Sequence, residues 1–266
     1  MRRAAFFVVL CVAVIACGRD LPQSIESRDT PTTTTSEAAP RPSSTTSSAP
    51  AVIRPAPVAL AAWEAPEGAS LVVRANADVD VYAEPGDAEP WLTLEATTIL
   101  GTATVLTVRE HRDDGWAKVM LPIRPNGSEG WVDIRGMLQY VVPGRLVIDL
   151  SDRSLTYYEL GEEVLSTTVA VGSPRNPTPT GEFFVTDNVT LSDPSSPWGP
   201  HAFGLSARSE TITEYNGGDG IIGIHGTNKP GSIGNAASLG CVRVHNEVIA
   251  ELHRIIPLGT PVEIRV

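Results

Sequence analysis

Arg145–Gly172 reads RLVIDLSDRSLTYYELGEEVLSTTVAVG. Apolar residues alternate with polar ones, and turn-forming pairs interrupt them at Ser151-Asp152 and Gly161-Glu162, so the stretch predicts three strands in a β-meander. The pattern continues downstream. TPTGEFFVTD (Thr178–Asp187) supplies a turn and another strand, and DGIIGIHG (Asp219–Gly226) reads as a buried strand running into a loop. One helix is expected, Glu247 to Ile256, with Asn246 placed to cap it and Val248, Ile249, Leu252, Ile255 and Ile256 on one face. Pro257 and Gly259 stop that helix, and PVEIRV (261–266) returns to the sheet. The region 144–266 is therefore expected to be a mainly β domain with one packed helix.

Upstream, residues 70–140 hold short alternating runs: ADVDVYAEP, TATVLTVRE, WAKVML and GWVDI, with turns at Pro85-Gly86, Asp114-Gly115 and Asn126-Gly127. Strands this short at this spacing predict a small β-barrel. The run DDGWAKVMLPIRPNGSEGWVDI resembles the paired tryptophan strands of bacterial SH3-like domains, which implies a targeting or spacer module beside a cell-wall enzyme. Trp116 and Trp131 are then either ligand-contacting aromatics or packing for the barrel. Before them, residues 18–66 are rich in Pro, Ser, Thr and Ala and hold few large apolar side chains. Such a segment cannot bury enough surface to offset its ordering entropy, and a flexible linker is expected.

The first residues, MRRAAFFVVLCVAVIAC, place Arg2 and Arg3 ahead of an apolar run too short to span a bilayer. The run ends in Val14-Ile15-Ala16-Cys17, similar to the lipobox of bacterial lipoproteins. That resemblance implies a signal peptide over 1–17, lipidation of Cys17, and a protein anchored on the outer, cell-wall-facing side of the cell membrane. Acidic residues outnumber basic ones by 31 to 20, giving a net charge of −11. A surface of that sign excludes nucleic acid as a partner.

The sequence holds three cysteines, Cys11, Cys17 and Cys241. With the first in the removed segment and the second capped by lipid, Cys241 is the free thiol of the mature chain, in a compartment that favours disulfides. It lies in IHGTNKPGSIGNAASLGC (Ile224–Cys241), a stretch almost free of charge. A nucleophilic cysteine needs a base for its proton and donors aimed at the attacked carbonyl oxygen. His225 sits where a strand breaks into a loop. Ser238, Leu239, Gly240 and Cys241 make a tight turn whose Gly240 and Cys241 N–H groups are the candidate oxyanion hole.

HGTNKPGSIG…SLGCVRV together with TPTG resembles the YkuD-type L,D-transpeptidase catalytic domain. The resemblance covers residues 144–266 and implies a β-sandwich fold. It implies Cys241 as acyl-accepting nucleophile, His225 as general base and acid, and the Gly226 carbonyl as the group that orients the imidazole. Ser238 and Arg243 would shape the pocket, Thr227 and Asn228 are further candidate substrate contacts, and Trp198 is a candidate lid residue. Where many members carry histidine before the motif glycine, this chain carries Leu239.

The implied reaction is acyl transfer through a thioester, from a peptidoglycan tetrapeptide stem to the amine of a neighbouring stem, forming a 3→3 cross-link. Proton transfer to His225 would leave a thiolate–imidazolium pair. No cofactor or metal is needed, and carbapenem-type inhibitors are expected to acylate the same sulfur. Three other readings remain open on the residues: an L,D-carboxypeptidase that passes the acyl group to water, a non-catalytic wall-binding lipoprotein, and a Cys241 that forms an intermolecular disulfide. A metal site from His225, Cys241 and His245 lacks paired ligand spacing.

Overall fold

A computed structural model describes residues 68–193, 195–215 and 217–266. The expected signal segment 1–17, with Cys17, and the linker 18–66 lie outside the described residues. The described residues are mainly β, as the alternating patterns require.

Among the described residues seven strands precede Pro143: β1 (Ser70–Arg74), β2 (Val79–Val81), β3 (Leu92–Leu94), β4 (Val105–His111), β5 (Trp116–Met120), β6 (Glu129–Asp133) and β7 (Leu138–Val142). Five of them form an antiparallel sheet in the order β6-β5-β4-β1-β7, and β2 pairs with β3 in a separate hairpin. Gly86, Gly115 and Gly127 all sit at φ between 81° and 91°, the left-handed conformation that the predicted turns demand. Val72, Val73, Leu106, Val119 and Val132 are fully buried and build the core of this region. Trp131 is 8% exposed and packs inward, whereas Trp116 meets the Tyr82 ring edge-on at 5.3 Å.

The remaining strands are β8 (Gly144–Asp149), β9 (Ser154–Glu159), β10 (Glu162–Thr168), β11 (Val171–Gly172), β12 (Gly181–Thr190), β13 (His201–Arg208), β14 (Ile221–His225), β15 (Ala236–Ser238), β16 (Val242–Arg243) and β17 (Pro261–Arg265), with the helix α1 at Asn246–Ile255. β8, β9 and β10 form the predicted meander, turning at the two expected breaks. Eight strands follow one another in the order β10-β9-β8-β17-β12-β13-β14-β16, a curled sheet in which β12 pairs with β17 through its first residues and with β13 through its last. Both halves of it feed one core: Leu146, Ile148, Leu155 and Tyr157 from one side, Phe203, Leu205, Ile222 and Ile224 from the other, closed by Ile249 and Leu252 of α1. A continuous sheet can do this because twisted strands curl as they accumulate. β10 is the charged, exposed edge, with Glu162, Glu163 and Val164 all exposed.

The helix sits as predicted, but Asn246 does not cap it. His245 occupies the N-cap without a side-chain bond, and the side-chain carbonyl oxygen of Asn246 instead accepts the Thr227 N–H at 2.7 Å. The two sheets are joined by side chains. Phe184 of β12, fully buried, belongs to the core of the 70–142 region, and the Thr107 hydroxyl donates to the Gly259 carbonyl at 2.9 Å.

Candidate active site

β14 ends at His225, and its parallel partner β16 begins at Val242. The register pairs Ile224 with Val242 and His225 with Arg243, which brings Cys241 opposite Gly223. The Gly223 N–H donates to the Cys241 sulfur at 3.4 Å. Gly223 and His225 lie two apart on one strand, so they share a face. His225 and Cys241 accordingly line one cavity of about 130 Å³, with Trp198, Ser238, Leu239 and Arg243 around them.

The His225 ring is oriented from two directions. Its Nδ1 lies 2.6 Å from the Gly226 carbonyl oxygen, which can only accept, so the ring proton is on Nδ1 and Nε2 is left as an acceptor. The Trp198 ring stacks on it at a centroid distance of 5.2 Å and an interplanar angle of 22°. Burial drives the imidazole down to about 4; the Gly226 carbonyl pulls it the other way, and the Arg243 charge adds to the lowering. Burial likewise pushes the Cys241 thiol up, against the Gly223 N–H and Arg243. Both shifts favour the uncharged forms, a neutral thiol beside a neutral imidazole. Desolvation of both partners is the reason.

The turn carrying the cysteine is held by two hydroxyls. Ser238, buried, donates to the Cys241 carbonyl at 2.5 Å and accepts the Gly240 N–H at 3.1 Å. Thr178, from the TPTG stretch, donates to the Gly240 carbonyl at 2.8 Å and accepts the Gly172 N–H at 2.8 Å. Gly240 takes φ 119°, a conformation that side-chain-bearing residues rarely adopt. Its N–H is already bonded to Ser238, which corrects the expectation that Gly240 donates to an oxyanion; the Cys241 N–H is the candidate that remains.

Arg243 lines the cavity, and its buried Nε has no hydrogen-bond partner among the described residues. Its backbone exchanges two 2.9 Å bonds with Ala170. Thr227 and Asn228 do not line the cavity. Thr227 is buried in the loop, its N–H held by Asn246 and its hydroxyl accepting the Lys229 N–H at 3.0 Å. Asn228 is exposed and donates to the Ser195 carbonyl at 3.0 Å, tying the histidine loop to the segment that carries Trp198. Both are loop-fastening residues because the chain turns away from the cavity directly after Gly226. His245 also stands outside the lining.

Further lining residues are Ile212, Tyr215, Gly220, Ile221 and Ile222, none of which the sequence offered as a site residue. No periodicity or motif marks the loop that carries the first two. Thr178 had a visible signal, a Thr-Pro-Thr-Gly turn ahead of a strand, but not its target.

The YkuD family profile, the L,D-transpeptidase catalytic domain, matches residues 143–264. YkuD of Bacillus subtilis is 36% identical over 126 residues, covering 47% of this chain and 68% of that protein. The chain belongs to the YkuD family. YkuD of Bacillus licheniformis is 37% identical over 123 residues, which span 46% of this chain and 66% of the relative. Among solved structures, the crystal structure of an Enterococcus faecium L,D-transpeptidase is similar at 24% identity with a TM-score of 0.35, over 46% of this chain and 50% of that one. The part of this YkuD-family chain that carries the cavity, from β8 to β17, coincides with the matched region.

Proposed function

We propose that this YkuD-family protein is a peptidoglycan L,D-transpeptidase that works through a Cys241 thioester. One observation carries the reading: His225 and Cys241 line the same cavity, with the imidazole fixed by Gly226 so that Nε2 is the nitrogen free to take a proton. In the first half-reaction the thiol proton passes to Nε2 as sulfur attacks the amide carbonyl of a donor tetrapeptide stem. The tetrahedral oxyanion is met by the Cys241 N–H. Collapse breaks the C–N bond, His225 gives its proton to the departing D-Ala amine, and a thioester remains. In the second half-reaction the side-chain amine of an acceptor stem attacks the thioester, His225 takes a proton from that amine, and the thiol is restored as the 3→3 amide forms. Because both groups start neutral, the ion pair exists only while substrate stabilises it, which keeps the thiol inert between turnovers.

In the same reading residues 70–140 form an SH3-like module, the signal peptide is removed, and the lipid on Cys17 holds the protein on the outer face of the membrane. A carbapenem acylates Cys241 by the same attack, since opening its strained lactam needs no leaving amine to depart.

Incubating the purified protein with a stem tetrapeptide tests the activity. Intact-mass spectra are expected to show an adduct that lacks the terminal D-Ala, peptide mapping to place it on Cys241, and muropeptide digests to contain new dimers. Cys241→Ala is expected to lose all three signals, and His225→Ala to slow acylation by about 10²–10⁴-fold. Tripeptides without dimers would move the reading to a carboxypeptidase, and cross-linking by Cys241→Ala would end it.

A further inference from the structure

One wall of the cavity belongs to a loop that the catalytic sheet does not hold alone. Residues 209–220 leave β13 and return to β14, closed at the base by the Ser209 N–H on the Gly220 carbonyl at 2.8 Å. Ser209, Ile212, Tyr215 and Gly220 from this loop face the cavity that His225 and Cys241 line. Backbone carbonyls of the loop point the other way, toward the turn between β5 and β6 in the N-terminal sheet. There Arg124 donates to three of them: Ser209 at 2.7 Å, Ile212 at 3.1 Å and Asp219 at 2.5 Å. Two residues on, Asn126 exchanges a pair of 2.8 Å bonds with the Arg208 backbone. Arg208 completes the join, reaching the Pro122 carbonyl at 2.6 Å while pairing with the Asp219 carboxylate at 2.6 Å.

We propose that Arg124 is a positioning residue for the active site, and that the N-terminal sheet is thereby a structural part of the donor-binding groove. The geometry favours arginine because one planar guanidinium presents several donors in a fixed fork, so three carbonyls at separate points of a loop can be fastened by one side chain. Gly220 shows how tightly the loop is drawn against it: a Cβ there would lie 2.0 Å from the Ile212 carbonyl oxygen and 3.0 Å from the Arg124 guanidinium. Arg124 touches neither His225 nor Cys241. It acts on catalysis through Ile212 and Tyr215, by fixing the wall against which a bound stem peptide lies.

The proposal rests on the cavity being the donor site, and the test separates the two claims. In the full-length protein, Arg124→Ala is expected to raise amide hydrogen exchange across residues 209–220 by at least about tenfold while β8 and β9 stay protected. The donor concentration that half-saturates acylation of Cys241 is expected to rise by about ten- to a hundredfold. Alkylation of Cys241 by iodoacetamide, which needs no groove, is expected not to fall. Arg124→Lys, keeping the charge and one point of contact, is expected to fall between parent and alanine variant, and it carries both readouts if the alanine variant does not fold. Unchanged exchange in 209–220, or an unchanged half-saturating concentration, overturns the proposal. Loss of alkylation in step with acylation overturns it too, because the effect is then general. If the parent itself is not acylated, the donor reading fails while exchange still decides the role of Arg124.

Discussion

Burial acts on both central side chains: it pushes the thiol of Cys241 up and the imidazole of His225 down to about 4, and both shifts favour the neutral forms. The sign has a kinetic consequence. A preformed ion pair would give alkylation of Cys241 a plateau between about pH 4 and 8, because the sulfur would already be a thiolate there. A neutral pair gives instead a rate that climbs only on the alkaline side, above the range of an ordinary thiol. The iodoacetamide rate as a function of pH measures this, and a plateau through neutral pH would overturn the neutral pair. The residue types at these positions are legible in the sequence because the chemistry requires them: a thiol, an imidazole, and a glycine where a side chain would be strained. Their charge state is not, since it depends on how much water the fold leaves around them. Thr227 and Asn228 depart from expectation for a related reason. They come directly after the histidine's glycine, but nearness in sequence does not place a side chain in a cavity once the chain has turned.

Strands and turns come through at the scale of elements where alternation is clean. The β8-β9-β10 meander, the helix Asn246–Ile255 and the glycine turns of the N-terminal region are all set by pattern. The joining of strands far apart in sequence is not. Nothing in PVEIRV says that β17 lies between β8 and β12, parallel to one and antiparallel to the other. The Thr178 hydroxyl belongs to this class of long-range fastening, holding the turn before Cys241 from 62 residues away. Thr178→Val keeps the shape and removes the hydroxyl, leaving the Gly240 carbonyl and the Gly172 N–H without it. The expected cost is about 2–4 kcal/mol in denaturant unfolding, together with slower acylation by donor. An unchanged midpoint would mean that both groups find another partner.

Across the whole molecule, the junction between the two sheets is the feature least visible in a linear reading. The sequence suggests a spacer module followed by a catalyst, whereas Phe184 of the catalytic sheet is buried in the core of the other one, and Leu258 packs against both cores. The Tyr140 hydroxyl adds a bond to the Leu258 carbonyl at 3.1 Å. A side chain of one sheet seated in the core of the other couples their melting, so the described regions are expected to unfold in a single calorimetric transition. Phe184→Ala is expected to cost about 3–5 kcal/mol and to split that transition in two. A single unshifted transition in the variant would show that Phe184 is not what couples them.

The place of β17 also bears on how the protein is made. A chain emerging from the ribosome presents β8 and β12 long before the strand that separates them exists. Their flanking edges must wait, hydrogen-bonding groups open, until the chain has grown from the end of β12 at Thr190 to β17 at Pro261–Arg265. Completion of the sheet thus lags well behind the synthesis of its first strands, and the interval before it is when the nascent protein most needs shielding from other chains.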